Sequence, residues 1–499
     1  MADSRINLKK ITPQREAIMM IPEDMARKYA AVPLGINGNT LTVAMANPSD
    51  IFALEAMATQ THMRIEPQAA EEEDIIEQID SNYKSYDAIQ QQVSNISLND
   101  TNTENLKYTN VTDAPVAQAL ILIIDEAVKA RASDIHLQPQ EDRLRVRYRI
   151  DGTLHEALSL PSATSVPLIS RIKVLADMNL ADRHRPQDGQ FSVEAKSRMI
   201  DVRVATVPTV YGEMAAMRLL YKNRATMTLP ELGFAPESLG IFEKMLKVPY
   251  GMILVSGPTG AGKTTTLYAS INCLDNIGRN IITIEDPVEY KFKNINQLQV
   301  NNKAGMTFAS GLRSILRLDP NVILVGEIRD AETANIAVQS ALTGHLVLSS
   351  IHANDAVGVV FRLLDLGIDP FLVASSLQGI VAQRMVRRIC PECARPVKVS
   401  LLEQMIYTKE AQDERTEFLY GSGCKVCSQT GYLGRMGIFE IMKMTDQIRM
   451  MIIKGTSTTE LKTQAVKEGM ITLLKDGMQK VKDNKTTPSE VLRNAYALD

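Results

Sequence analysis

Short apolar runs, each followed by polar residues, are the dominant pattern in the middle of this chain. They cover residues 252–256, 281–284, 322–325 and 346–350. Near-continuous apolar strands are typical of a parallel sheet that is covered on both faces. Ligands of such sheets bind at the carboxyl ends of the strands. The pattern therefore predicts an α/β domain in which the polar residues after each run converge on one site.

A different pattern precedes these runs and predicts a second α/β domain. Residues 144–150 and 200–204 alternate between apolar and charged side chains, which is typical of half-buried strands. Asp151 and Gly152 form a dipeptide that predicts a tight hairpin turn. The boundaries that we predict are 111–228 for this domain and 229–386 for the domain with the apolar runs.

The first part of the chain predicts a small domain and a linker. A strand-like alternation at 40–45 and an acid-rich helix start at Glu71 indicate a small α/β domain at 1–85. No residues in it have catalytic spacing, so it is either a docking module or a purely structural domain. Residues 86–110 are rich in Gln, Asn, Ser and Thr, which is typical of a flexible linker.

Length and charge limit the possible classes of protein. A chain of 499 residues is too long for one hydrophobic core, so several domains are expected. The net charge of −3 does not indicate a dedicated nucleic-acid-binding protein. No apolar run approaches the ~18 residues of a membrane span, and the start carries no secretory signal. We therefore expect a cytoplasmic protein that associates with membranes only through partners.

A glycine-rich segment follows the first apolar run and precedes a helix-forming stretch. It fits the P-loop template, and its residues are Gly257, Pro258, Thr259, Gly260, Ala261, Gly262, Lys263, Thr264 and Thr265. Backbone N–H groups and the helix amino terminus bind phosphates in this motif. We expect Lys263 to reach the β- and γ-phosphates of ATP and Thr264 to hold Mg²⁺. A chance glycine turn is disfavoured because both flanking elements are present.

Acidic residues follow two of the other apolar runs. Glu327 comes after the third run and is our candidate for the group that orients and activates the attacking water. Glu285, Asp286 and Glu289 come after the second run and are candidates for binding Mg²⁺ or its waters. A carboxylate at a strand end is often only a helix cap or a surface group. Several carboxylates in register with a P-loop favour a catalytic site.

Histidines and arginines are further candidates. His345 and His352 flank the last apolar run and could sense the γ-phosphate, although a single histidine is more often structural. The second domain is rich in arginine and includes Arg203 and Arg218. Most of its arginines are expected on a solvated strand face. A few could instead point at the triphosphate of a neighbouring subunit and neutralise charge in the transition state.

Four of the five cysteines form two CxxC pairs. These are Cys390 with Cys393 and Cys424 with Cys427. Each pair can bind one side of a tetrahedral Zn²⁺, and four thiolates make a closed, structural site. Paired redox cysteines are the weaker alternative because two separate pairs occur. We expect the fifth cysteine, Cys273, to be a core residue.

The last part of the chain, 438–499, is predicted to be helical. Thr487 to Glu490 fit a capping box with proline at the first helical position, which opens the final helix. No catalytic pattern occurs in this part.

Several motifs together resemble one family, the secretion ATPases of type II secretion systems and type IV pilus assembly. The matching segments lie at 132–137, 148–152, 185–189, 257–265, 284–289, 318–330 and 343–355, together with the two cysteine pairs. The segment 284–289 is similar to the family's Asp box, 318–330 to its Walker B region and 343–355 to its His box. The resemblance covers nearly the whole chain.

This resemblance implies an α/β multidomain architecture. It comprises the small amino-terminal docking domain, a PAS-like domain at 111–228, a RecA-like ATPase core at 229–386, a zinc-binding subdomain at 387–437 and a helical region at 438–499. It also implies a homohexameric ring with ATP between subunits. Arg203 and Arg218 match by position the arginines of the family's second domain that reach a nucleotide.

The implied function is an ATP-hydrolysing motor that drives assembly of pilin-like subunits. Implied partners are a polytopic inner-membrane platform protein and a bitopic membrane protein that holds the first domain, with the motor peripheral to the inner membrane. Retraction motors resemble the chain less, because they lack the front domain and the zinc subdomain. The sequence does not decide whether the client is a secretion pseudopilus or a pilus.

Two alternative functions are a nucleic-acid translocase and a scaffold that binds nucleotide without turnover. Low aromatic content argues against the first, and intact Lys263 and Glu327 argue against the second.

Overall fold

The computed structural model describes most of the chain as two compact units. The described residues are 6, 8, 13–76, 78–79, 115–195, 198–221, 227–274 and 277–495. The first unit comprises 1–221, 390–394 and 421–433, and the second comprises 222–389, 395–420 and 434–499. The predicted linker at 86–110 lies outside the described residues.

The first unit begins with a small α/β fold. Its elements are α1 (Arg15–Met20), α2 (Glu23–Lys28), β1 (Ala31–Asn37), β2 (Thr40–Met45), α3 (Ile51–Thr61) and β3 (Arg64–Ala69). Strand β2 pairs antiparallel with β1 and parallel with β3. Helix α3 begins at an Asp50 cap, whose side chain accepts a hydrogen bond from the backbone N–H of Ala53. The predicted strand at 40–45 is confirmed.

A six-stranded antiparallel sheet forms the second part of this unit. Its elements are α4 (Pro115–Lys129), β4 (Asp134–Pro139), β5 (Arg143–Ile150), β6 (Thr153–Pro161), α5 (Ser165–Leu175), β7 (Gln187–Ala195), β8 (Arg198–Thr209) and β9 (Gly212–Leu220). Apolar residues of β5 are buried and its arginines are half-buried, as the alternation predicted. Asp151 and Gly152 both have positive φ, which is the backbone that the predicted hairpin turn requires.

The second unit contains a seven-stranded sheet. Its strands are β10 (Gly251–Ser256), β11 (Ile281–Glu285), β12 (Asn296–Gln299), β13 (Val322–Val325), β14 (Leu346–Ile351), β15 (Leu377–Ile389) and β18 (Tyr432–Lys443). They lie in the order β12-β11-β13-β14-β10-β15-β18. All five ladders among the strands β10, β11, β12, β13, β14 and β15 are parallel. Two hydrophobic cores share β10, because Met252 and Leu254 belong to one and Ile253 and Val255 to the other. The predicted parallel sheet with two covered faces is therefore confirmed.

Helices cover this sheet and follow it along the chain. They are α6 (Pro236–Leu246), α7 (Lys263–Asn272), α8 (Phe308–Ile315), α9 (Ala331–Leu342), α10 (Ala356–Asp365) and α11 (Pro370–Ser376). A two-stranded sheet of β16 (Ala394–Lys398) and β17 (Glu417–Gly421) flanks α12 (Leu401–Ala411). The final helices are α13 (Asp446–Ile453), α14 (Thr458–Lys467), α15 (Leu473–Lys482) and α16 (Pro488–Ala495).

The prediction that 438–499 is helical throughout is wrong at its start. Strand β18 continues to Lys443 and forms one edge of the seven-stranded sheet. The reason is a near-continuous run of buried residues from Met436 to Met442, which suits a strand inside a layered core. Helix α16 does begin after Thr487, whose hydroxyl accepts from the backbone N–H of Glu490 at 3.3 Å. The buried Glu490 carboxylate pairs with the Arg387 guanidinium at 2.6 Å.

Candidate nucleotide site

The P-loop connects the carboxyl end of β10 to the start of α7. Gly257, Gly260 and Gly262 all have positive φ, at 149°, 80° and 86°. A Cβ at Gly257 would lie 2.5 Å from the carbonyl oxygen of Gln383, so only glycine fits there. The geometry is a backbone cradle at a helix amino terminus, which suits phosphate binding.

Lys263 lies at the first position of α7 and turns towards the loop. Its Nζ donates to the carbonyl oxygens of Gly257 at 2.8 Å and Pro258 at 3.2 Å. The pKa of Lys263 is lowered from its ordinary value, mainly because the side chain is partly buried. Arg384 also lowers this pKa, and the nearby Glu327 carboxylate opposes the shift. The lysine therefore shares its electrostatic environment with the proposed general base.

Glu327 sits after β13 in a loop that neighbouring strands hold in place. Arg329 donates to its Oε1 at 2.6 Å, and His352 Nε2 lies 3.7 Å from its Oε2. The backbone N–H of Ile328 donates to the carbonyl oxygen of Ser350 at 2.9 Å. The structure thus brings Lys263, Glu327 and His352 together at one edge of the sheet, as the sequence predicted.

His352 follows β14, and its surroundings lower its pKa. Burial lowers the pKa of His352, and the positive charges of Lys263 and Arg329 lower it further, while Glu327 raises it. A neutral imidazole can accept or donate one hydrogen bond at this edge without adding positive charge.

Glu285 has a different environment from the one predicted. Its carboxylate is buried at the end of β11, where the hydroxyl of Tyr268 donates to Oε2. Thr283 Oγ1 and Gln297 Nε2 donate to Oε1 at 2.6 and 3.1 Å. Glu285 was a candidate for binding Mg²⁺ or its waters. Both of its carboxylate oxygens accept hydrogen bonds from side chains of this chain, which argues against direct contact of Glu285 with Mg²⁺. Glu289 lies further along, half-buried in the loop after the strand.

His345 lies at the amino-terminal ends of the strands, whereas the P-loop lies at their carboxyl-terminal ends. Its carbonyl oxygen accepts from the backbone N–H of Gly251, the first residue of β10, at 3.0 Å. The P-loop begins after the last residue of β10, a full strand or about 17 Å away at ~3.3 Å per residue. The prediction that His345 binds nucleotide is therefore wrong for the P-loop of its own chain. Its Nδ1 is 3.0 Å from the carbonyl oxygen of Ser340.

Sequence reasoning missed Gln383, a buried amide in β15. Its Oε1 accepts from Thr266 Oγ1 at 2.8 Å, and its Nε2 donates to the carbonyl oxygen of Ala261 at 2.6 Å. It therefore ties α7 to the P-loop from a neighbouring strand. The available signal was a polar side chain that directly follows the apolar run at 380–382 in β15.

The four paired cysteines form one cluster. Their sulfur atoms all lie within 4.8 Å of one another. The Sγ–Sγ distances are 3.7 Å for Cys390 and Cys424, 3.9 Å for Cys393 and Cys427, and 3.6 Å for Cys424 and Cys427. Tetrahedral Zn²⁺ with Zn–S bonds of about 2.3 Å requires sulfurs about 3.8 Å apart, so the cluster fits zinc.

Cys273 is not a core residue as predicted. It is exposed at the carboxyl end of α7, where it caps the helix. The buried residues of α7 lie at 266–271, before Cys273. The apolar pattern of the sequence does not specify whether a side chain at the end of a helix faces the core.

Two family models match the sequence and together cover most of it. Residues 109–493 match the family described as type II/IV secretion system protein. The chain belongs to this family. Residues 4–88 match the MshEN domain.

Known proteins of the same family agree with this assignment. The chain is 41% identical over 499 residues to the type IV pilus assembly ATPase PilB of Myxococcus xanthus, covering 98% of this chain and 88% of that protein. It is 40% identical over 471 residues to the type II secretion system protein E of Xanthomonas campestris, covering 94% of this chain and 83% of that protein. The predicted ATPase of the secretion and pilus-assembly family is confirmed.

Solved structures resemble the fold of this ATPase. The pilus retraction motor PilT with bound ADP gives a TM-score of 0.50 at 26% identity, covering 76% of this chain and 97% of that chain. The Legionella pneumophila ATPase DotB gives a TM-score of 0.55 at 19% identity, covering 74% of this chain and 93% of that chain. At this identity the similarity shows only a shared fold. The predicted RecA-like core is confirmed by these neighbours.

The two arginines expected to act in this ATPase lie on adjacent strands of the first unit. Arg203 of β8 and Arg218 of β9 face each other in the strand register. Arg218 Nε also lies 3.0 Å from Asp134 Oδ1, although most of the Arg218 side chain is exposed. Their role at a nucleotide stays a prediction.

Within the part of the chain that the structure describes, no helix has both the length and the apolarity needed to cross a bilayer.

Proposed function

We propose that this ATPase hydrolyses ATP to drive assembly of pilin-like subunits, and that it thereby powers type II secretion or type IV pilus extension. The observation that carries the hydrolytic part is the placement of Glu327 beside Lys263, Arg329 and His352, at the sheet edge where the P-loop begins. A carboxylate in this position can take a proton from water directly beside bound phosphates.

The residues act on a water molecule and on the γ-phosphate of ATP. Glu327 orients the water and accepts its proton as the water oxygen attacks phosphorus. The bond between phosphorus and the β–γ bridging oxygen breaks, and that oxygen leaves with ADP. Lys263 and the P-loop N–H groups neutralise negative charge on the phosphates, while Arg329 and His352 hold the carboxylate in position.

Candidate ligands for Mg²⁺ lie at the same end of the strands. Thr264, the second residue of α7, has an exposed side chain and would hold the ion together with the phosphates. Bound Mg²⁺ neutralises charge on the transferred phosphoryl group. The loop at 286–289, which carries Asp286 and Glu289, would bind waters of the ion.

The working form that we propose is a homohexamer with ATP between subunits. Arg203 and Arg218 would approach a nucleotide and neutralise transition-state charge. The first domain would dock a bitopic inner-membrane protein, and the ring would act on a polytopic platform protein. The motor would then be cytoplasmic and peripheral to the inner membrane, with zinc in the cysteine cluster as a structural ion.

The test of the hydrolytic assignment is Glu327→Gln in the full chain. Loss of the base should lower ATP turnover by at least about 100-fold, while ATP affinity stays within about threefold, because the phosphate cradle is intact. Steady-state phosphate release and binding of a fluorescent ATP analogue measure the two quantities.

Glu332→Gln is the matched control. Glu332 is an exposed glutamate in the first turn of α9, paired with Arg313 and outside the carboxylate cluster. It should leave turnover within about twofold. If Glu327→Gln hydrolyses ATP as fast as the control, Glu327 is not the base.

A further inference from the structure

Tyr268 lies on the inner side of α7, one and a half turns after Lys263. Its ring is buried and packs edge-on against Phe292, with ring centroids 5.0 Å apart at 88°. Tyr290 packs similarly at 6.2 Å and 71°. The helix that starts at the phosphates therefore also carries a tyrosine into the space beneath the acidic loop at 286–289.

The Tyr268 hydroxyl makes hydrogen bonds at both ends of that loop. It donates to Glu285 Oε2 at the end of β11 and accepts from the backbone N–H of Glu289 at 3.3 Å. Thr283 and Gln297 hold the other carboxylate oxygen of Glu285. The carboxylate is thereby fixed from both sides, and the hydroxyl joins it to the loop.

The hydroxyl stays protonated in this position. Burial raises the pKa of Tyr268, and the hydrogen bond to Glu285 raises it further. A protonated phenol can donate one hydrogen bond and still accept another, which are the two contacts observed.

We propose that Tyr268 is a positioning residue, which ties the phosphate-binding helix to the acidic loop at 286–289 through the buried carboxylate of Glu285. This inference rests on the proposed ATPase function. It gives Glu285 the role of an anchor for the loop, in place of direct contact with Mg²⁺.

The tie predicts a specific kinetic signature. A loosened loop holds Asp286 and Glu289 less well, so Mg²⁺ binds more weakly. The P-loop itself is unchanged, so affinity for the nucleotide changes little. Saturating Mg²⁺ should restore turnover, which separates a positioning role from a chemical one.

The first experiment compares Tyr268→Phe with the wild-type full chain. Removing one hydroxyl keeps the ring packing and should raise the Mg²⁺ concentration for half-maximal ATP turnover about tenfold, as expected for loss of one charge-assisted hydrogen bond. Binding of a fluorescent ATP analogue without Mg²⁺ should stay within twofold.

Tyr407→Phe is the matched control. Tyr407 is another buried tyrosine whose hydroxyl donates to a carboxylate, that of Asp413, but it lies in α12, away from the P-loop. It loses an equivalent hydrogen bond and should leave the Mg²⁺ dependence unchanged. Equal Mg²⁺ dependence in the two variants would overturn the proposal.

Glu285→Gln tests the same tie without changing the tyrosine. It should shift the Mg²⁺ dependence in the same direction, with turnover at saturating Mg²⁺ within about threefold of wild type. If turnover stays as low as in Glu327→Gln at every Mg²⁺ concentration, Glu285 acts directly and the proposal fails. This variant also decides the question if Tyr268→Phe does not fold. Absence of hydrolysis by the wild-type protein would instead refute the proposed function itself.

Discussion

Gln383 is the residue whose chemistry is most closely matched to the P-loop. One end of its amide accepts from Thr266 and the other donates to Ala261. Only a side chain with both a donor and an acceptor satisfies these two partners. Its burial makes the match important, because a buried polar group left without a partner costs about 1–3 kcal/mol. At this scale, a buried side chain of another strand holds the P-loop to the helix that follows it.

Gln383→Leu should therefore weaken nucleotide binding. The substitution leaves the Ala261 carbonyl and the Thr266 hydroxyl without this partner, so we expect a loss of about 1–3 kcal/mol in stability and about tenfold in ATP affinity. Thermal unfolding and titration with a fluorescent ATP analogue measure both.

Gln378→Leu is a control on the same strand. Gln378 donates to the carbonyl oxygen of Tyr250 at 3.4 Å, at the other end of the sheet. A loss of affinity shared equally by both variants would show that the effect comes from β15 in general rather than from the P-loop contact.

The element between the two cysteine pairs explains how distant residues form one cluster. It contains β16, α12 and β17, and its two ends meet because Cys393 accepts, through its carbonyl oxygen, from the backbone N–H of Ser422 at 3.0 Å. The N–H of Cys390 likewise donates to the carbonyl oxygen of Gly431 at 3.0 Å. The long insertion shares a hydrophobic core with α15 and α16 through Tyr407 and Phe418.

Zinc removal tests this element. The purified protein should contain about one zinc per chain, and Cys424→Ser should lose most of it because one of four ligands is gone. The midpoint of thermal unfolding should fall with the metal content. Metal analysis by mass spectrometry and a melting curve provide the readouts.

Cys273→Ser is the matched control, since this exposed thiol lies outside the cluster. It should keep full zinc content. Retention of zinc by Cys424→Ser to the same degree would contradict a four-cysteine site.

At the scale of the whole molecule, activity is expected to depend on assembly. The P-loop and Glu327 belong to the second unit, whereas Arg203 and Arg218 belong to the first. If the arginines act on the ATP of a neighbouring subunit, an isolated chain lacks part of its catalytic site.

Specific ATPase activity should rise steeply with protein concentration as rings form. Arg203→Ala and Arg218→Ala should each lower the activity of the assembled protein by at least about tenfold without dissolving the ring, because an arginine at the transition state contributes strongly to phosphoryl transfer. Phosphate release and light scattering at each concentration measure activity and assembly together.

Arg145→Ala is the control on the same antiparallel sheet, where Arg145 pairs with Glu156 at 2.6 Å. It should leave activity within about twofold. A fully active monomer that is indifferent to Arg203 and Arg218 would refute the interface mechanism.

Local sequence determined the elements and much of the site. Near-continuous apolar runs predicted the parallel strands, because a strand that is buried on both faces has apolar side chains at nearly every position. The glycine spacing determined the P-loop, and the strand ends placed Glu327 and His352 near it. The spacing of the cysteines likewise predicted one cluster. These features follow from residue patterns within short segments.

Tertiary structure decided which side chains face one another. Glu285 follows a strand just as Glu327 does, yet Tyr268, Thr283 and Gln297 enclose it. His345 is separated from the P-loop by a full strand, although His352 lies beside Glu327. A local pattern indicates which face of an element is apolar, but the partners of a side chain come from segments distant along the chain. Only the packed fold brings those segments together.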